Sequence, residues 1–208
     1  MTLIELVVVI VVILILVGLL LPVLVAPHHP HHRDQCVNNL KQIGLSFRLW
    51  SGDNGDRFPM QVSISETNGG TKELIAEGNV FPHFHIMSNE LSTPRILICP
   101  EDKGRKAATS FETNFNDDNI SYFVGVDADE SKPTTILSGD RNLALGKTPL
   151  GHGLVTLTNG SPISWTSQIH KGNGYIALGD GSVLSTDIFR LQKFFRDSGL
   201  TTNRLVIP

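Results

Sequence analysis

Residues 6–25 form an apolar run with nothing more polar than Gly18 and Pro22, and the hydrophobic pattern changes character twice after it. As a helix that run would rise about 30 Å, one hydrocarbon core, so it predicts an N-terminal membrane and assembly helix over 1–25. A cleaved secretory signal would carry a basic start, a shorter apolar stretch and a small-residue cleavage site; none flanks the run, so a retained anchor is expected. Residues 26–33 read APHHPHHR. Pro27 and Pro30 each remove a backbone donor and crowd the preceding turn, which predicts a break in the helix.

The helical period returns with Cys36, Leu40, Ile43, Phe47 and Trp50 at spacings of three and four, flanked by Val37 and Gly44. Lys41, Gln42 and Arg48 lie off this stripe, so a helix over 34–50 is expected to lay one face on a sheet, until SGDNGDRFP stops it. Short strand-like runs follow at 96–99, 121–126, 135–137, 154–158 and 163–166, separated by Gly, Pro, Asn and Asp. Residues 175–178 and 182–184 flank Gly179-Asp180-Gly181, a strong hairpin signal. A last helix is expected to start near Ser185 or Thr186, with Asp187 in its first turn and Ile188, Leu191, Phe194 and Phe195 on one face, and to stop at Gly199.

Composition narrows the function classes. Roughly 180 residues beyond the anchor make one domain over 51–208 with its own core, to which the helix over 34–50 packs. Net charge is -3 with scattered basic residues, so no electrostatic footprint for nucleic acid is present. Glu5 is the one charged side chain in residues 1–25. A carboxylate in a bilayer costs about 3 kcal/mol or more, which makes it a functional residue by default. The cation nearest to it is the α-amino group of Met1, and a neighbouring copy of the chain offers the same group to Glu5, setting a register between subunits.

Three blocks carry a family resemblance. T-L-I-E-L with Glu5, the Val/Ile/Leu run and Pro22 resemble the mature N-terminus of type IV pilins and type II secretion pseudopilins. CVNNLKQIGLSFRLWSGDNGDRFP at 36–59, ICPEDKGR at 98–105, and His170 followed after nine residues by Asp180-Gly181 are similar to a bacterial pseudopilin-like group with that C-terminal signature. The resemblance implies that a prepilin peptidase removes a leader and that Met1, where the family usually has Phe, is the processed and N-methylated residue. It also implies unwinding around Gly18 and Pro22 in a filament.

The fold expected is α+β and pilin-like: a hydrophobic N-terminal helix broken near Pro22 to Pro30, a helix packed on an antiparallel sheet, and a short C-terminal helix. The function expected is a structural, non-enzymatic filament subunit. Its partners would be copies of itself, the bacterial inner membrane before assembly, the prepilin peptidase and the pilus or secretion machinery, with a final periplasmic or extracellular location. Retention of Glu5 favours a repeating subunit over a minor pseudopilin, and a membrane-anchored binding or enzymatic module is the rival class.

Several polar residues invite a chemical reading. Cys36 and Cys99 lie beyond the anchor, on the side expected to be oxidising, where either a disulfide or two buried thiols is consistent with the sequence. A bridge across that loop would be worth roughly 4 kcal/mol on the chain-entropy model. His170 and Asp180 lack a nucleophile or metal to complete a catalytic set, and a His donating to a turn Asp would lock the hairpin. His28, His29, His31 and His32 offer imidazoles to a transition metal, but two prolines argue for a solvated linker. His83 and His85 would share a strand face. Asp127, Asp129 and Glu130 have the oxygen spacing Ca²⁺ accepts, against a charged turn as the simpler account. No other cofactor is implied.

Overall fold

The computed structural model describes residues 3–25, with side chains as far as 18, and residues 32–208. Met1, the prolines Pro27 and Pro30, and His28, His29 and His31 of the expected break lie outside the described residues. The chain divides into two units, 1–31 and 32–208.

The first unit is helix α1 (Leu3–Val25), continuous through Pro22. The break expected at Pro22 is therefore corrected. A proline there forfeits one hydrogen bond, to the carbonyl of residue 18, and the helix carries that loss to its end. No helix among the described residues is long and apolar enough to cross a membrane.

The second unit begins with α2 (His32–Asp53), which buries Cys36, Leu40, Ile43, Phe47 and Trp50, the stripe its period predicts. Two short helices follow, α3 (Phe81–His85) and α4 (Ser88–Leu91). Nine strands and one further helix complete it: β1 (Tyr122–Gly125), β2 (Ile136–Asp140), β3 (Leu143–Leu145), β4 (Thr148–Pro149), β5 (Gly153–Thr158), β6 (Ile163–Trp165), β7 (Gly174–Leu178), β8 (Val183–Thr186), α5 (Ile188–Asp197) and β9 (Thr202–Ile207). Six strands form one antiparallel sheet in the order β5-β9-β1-β2-β7-β8, and β4-β3-β6 form a second.

Alternation along the central strands feeds two cores. Tyr122 and Val124 of β1, Ala177 of β7 and Val206 of β9 face the cluster that holds the α2 stripe. Phe123, Ile176, Leu178, Leu205 and Ile207 face the opposite cluster, with Leu143, Ile163 and Trp165 of the small sheet and Leu191 and Phe195 of α5. A side-chain period of two thus puts successive residues in different cores, which is why β1 and β2 are buried at every position.

The pilin-like α+β arrangement is corrected in its remaining parts. The chain does not close on a short helix: β9 follows α5 and lies inside the large sheet, paired with β5 over six residue pairs and with β1. Residues 96–99 are not a strand, since a 3₁₀ turn, Pro94–Leu97, opens there with Thr93 as its cap. His83 and His85 lie on helix α3, where Pro82 occupies the first turn, and not on a strand. α5 starts one residue later than expected, with Asp187 as N-cap accepting from the Arg190 amide.

Two features hold α2 against the rest of the second unit. Cys36 and Cys99 are joined in a disulfide across 63 positions of sequence, so of the two readings the sequence left open the bridge is the one present. Further along, Gly44 faces the β7–β8 turn so closely that a Cβ would stand 3.3 Å from Gly181 Cα. Arg48 spans the same contact, donating to the Asp180 carbonyl at 3.2 Å and pairing with Glu130 at 3.3 Å.

Backbone crowding within the large sheet is severe at Gly125, beside an irregularity in β2 between Ile136 and Ser138. A Cβ on Gly125 would lie 2.0 Å from the Ile136 carbonyl oxygen, a backbone atom that cannot swing aside. Gly125→Ala is expected to destabilise the second unit by at least about 2 kcal/mol, as overpacking does. Denaturant melts of variant and parent measure it, and an unchanged midpoint would contradict this account of the sheet.

Candidate functional site

Two features stand out chemically, one in each unit. In the first, the apolar side chains from Leu3 to Val17 are 46% to 80% exposed. Glu5 sits in the first turn of this helix, where the positive end of the backbone dipole favours a carboxylate. A helix so uniformly apolar and so open is a surface seeking cover, whatever covers it.

In the second unit a polar cluster is sealed between α2 and the sheet. Cys36 comes from the first turns of α2, Cys99 from the segment after Pro94–Leu97, Asp140 from the end of β2, and His170 from the loop entering β7. His170 Nε2 lies 3.3 Å from Cys99 Sγ and 3.5 Å from Asp140 Oδ2. Its ring meets Tyr175 edge to face at 4.8 Å. His170 and Lys171 both adopt left-handed backbone (φ 55° and 54°), an unusual conformation for residues other than Gly. Asn142 holds that loop by donating to the carbonyls of Thr166 and Ile169 at 3.0 and 3.1 Å, and Asn39 ties α2 to the Cys99 segment through the Ile98 carbonyl at 2.8 Å.

Electrostatics make the His170–Asp140 contact a neutral one. Burial pushes the Asp140 carboxyl up to about 8, against the Tyr175 amide that donates to Oδ2 at 2.7 Å and favours the charged form. Burial likewise pushes His170 down. Each group therefore prefers its uncharged state near neutral pH, and the pair, 3.5 Å apart, is a contact of two neutral groups and not a salt bridge. Asp140 Oδ1 and His170 Nδ1 are buried without a hydrogen-bond partner among the described residues. Such unsatisfied atoms in a core are uncommon and costly.

The other residues singled out in the sequence disperse, and the His170–Asp180 lock is corrected. Asp180 accepts from the Ser182 amide within its own turn at 2.8 Å, while His170 turns inward to Asp140 and Cys99. Gly181 keeps its value through φ +81° and the close pass of α2. The three carboxylates considered for Ca²⁺ are separately engaged: Asp127 by Arg204, Asp129 by Ser131, and Glu130 by Arg48 and Ser51. They do not converge; among the described residues the donor atoms that do are those of Cys36, Cys99 and His170. His83 is buried, its Nδ1 2.7 Å from Thr71 Oγ1, and burial lowers its pKa to about 4. His85 stacks on Phe115, and His32 opens α2.

Asp140 escaped the sequence reading. Its only signal is a carboxylate closing the apolar stretch ILSGD, and nothing local says that His170 will meet it. No family model, curated protein or solved structure matches the chain.

The shifts of Asp140 and His83 act on stability in opposite directions. Asp140 binds its proton more tightly when folded, so its contribution is full below about 4 and is lost as pH rises through about 8. His83 binds its proton less tightly when folded, so its contribution is full above about 6.5 and is lost as pH falls through about 4. Asp140→Asn is expected to remove the alkaline loss, gaining on the parent between pH 4 and 8 by an amount on the order of a few kcal/mol. Urea melts across that range test it. Parallel pH profiles for the two proteins would show that Asp140 is not the group responsible.

Proposed function

We propose that this chain is a structural subunit of a filament of the type IV pilus or pseudopilus class, polymerising through α1. The observation that carries the reading is the exposed apolar surface of α1, with Glu5 in its first turn. Each large apolar side chain moved from water into a packed core contributes about 1.5–3 kcal/mol. Packing many copies of α1 side by side would gather such contributions and leave the bodies outside. In that interior the Glu5 carboxylate pairs with the terminal ammonium of Met1 on an adjacent copy, which fixes the axial register. Removing one member of a buried ion pair costs about 3–5 kcal/mol, because the remaining charge is left uncompensated.

Two further observations support an external body. The second unit has its own two cores, so it does not need α1 for its fold. Its disulfide suits an oxidising, extracytoplasmic compartment. On α2, Leu45 and Leu49 are 56% and 52% exposed on one face, where a neighbouring body could rest. The reading enlists a prepilin peptidase and an assembly machine as partners and assigns the chain no turnover of its own.

Glu5→Ala is expected to abolish filaments while leaving the body folded and the protein at parental abundance. Electron microscopy of material sheared from cells reads the first outcome and immunoblotting the second. Normal filaments from the variant would rule out the register pair, and absence of filaments from the unaltered chain when expressed with an assembly system would count against the whole reading.

A further inference from the structure

The cluster under α2 has the composition of a metal site closed by oxidation. Its donors are two sulfurs and an imidazole nitrogen, all within 4.8 Å of one another. Two soft thiolates with an imidazole suit zinc and exclude calcium or magnesium, which take oxygen. The distances fit as well. A tetrahedral zinc with bonds of about 2.3 Å to sulfur and about 2.0 Å to nitrogen holds those donors about 3.6 Å apart, and nitrogen about 3.4 Å from a carboxylate oxygen. His170 Nε2 stands 3.3 Å from Cys99 Sγ and 3.5 Å from Asp140 Oδ2. The sulfur–sulfur edge is the one that reduction must open, because a covalent bond closes it.

We propose that the Cys36–Cys99 disulfide is the oxidised form of a zinc site, and that the reduced chain binds one Zn²⁺ through Cys36, Cys99 and His170, with Asp140 beside the fourth corner. A dithiol reductant supplies two electrons: the protein disulfide becomes two thiols and the dithiol becomes a cyclic disulfide. Zinc then displaces one proton from each thiol, forming two zinc–sulfur bonds and releasing two protons. His170 ligates through Nε2 as neutral imidazole with its proton on Nδ1, the ring nitrogen now without a partner among the described residues. Two thiolates balance the ion's charge, so the buried site stays neutral overall. This metal tether joins α2 to the same segment as the disulfide does, so a chain not yet oxidised holds its body together by other means. The inference is independent of the filament reading.

The test uses the full chain in detergent, reduced with a dithiol that is then removed without oxygen, and titrated with Co²⁺ followed by Zn²⁺. The expected result is one equivalent bound per chain, the intense visible absorption of a tetrahedral cobalt–thiolate centre, its loss on adding zinc, and release of two protons per zinc. The oxidised chain should show none of this, and His170→Gln should weaken binding at least about tenfold. Circular dichroism follows the fold throughout. A reduced, folded chain without the cobalt–thiolate band overturns the proposal, as does parental affinity in His170→Gln. Where reduction unfolds the chain, recovery of the native signal on adding zinc supports the site and failure to recover it overturns it.

Discussion

The close seating of α2 on the six-stranded sheet is the contact on which the body depends. Five large or sulfur-bearing side chains at helical spacing, Cys36 to Trp50, fill the core on that side of the sheet, and each of the apolar ones contributes about 1.5–3 kcal/mol when buried. That gain requires the helix axis to come close. Gly44 and Gly181 permit the approach because neither carries a Cβ at the crossing, and Arg48 closes over it to the Asp180 carbonyl. The disulfide fixes the first turns of the same helix. A segment that reads as a signature in the sequence, Asp180-Gly181, is thus a docking surface for a helix far from it in the chain.

Seating the helix so tightly has an electrostatic consequence. It seals Asp140 and His170 away from water, and burial drives each towards its uncharged form. A pair that would be an ion pair at the surface becomes a neutral contact beside a disulfide. Asp140 Oδ1 and His170 Nδ1, without a partner among the described residues, are what that arrangement leaves behind. A cluster with this composition is better explained by chemistry than by stability, since an apolar replacement of the same volume would avoid the cost of burying unpaired polar atoms.

α1 obeys the opposite constraint. The described apolar side chains of the first unit, from Leu3 to Val17, remain 46% to 80% exposed, so the burial that orders the second unit does not order this one. The two units therefore divide the work: one folds on itself, and the other offers surface.

Periodic features were legible in the sequence because they depend on neighbours three, four or two residues away. The α2 stripe, the β7–β8 hairpin around Gly179-Asp180-Gly181, and α5 were all readable in this way, each to within about three residues. Where local propensity competed with distant packing the sequence misled. Pro82 in a first turn made α3 a helix where alternation suggested a strand. No element was expected over TTNRLVIP, which is strand β9 because β5 and β1 supply partners for both of its edges. The sequence by itself determined the apolar N-terminal helix, the position of Glu5 and the amphipathic helix, since spacing alone encodes them. Only the tertiary structure decided that His170 meets Asp140 and Cys99, and not Asp180, because a contact between two loops and a strand end is set by how three segments pack and leaves no periodic trace in any one of them.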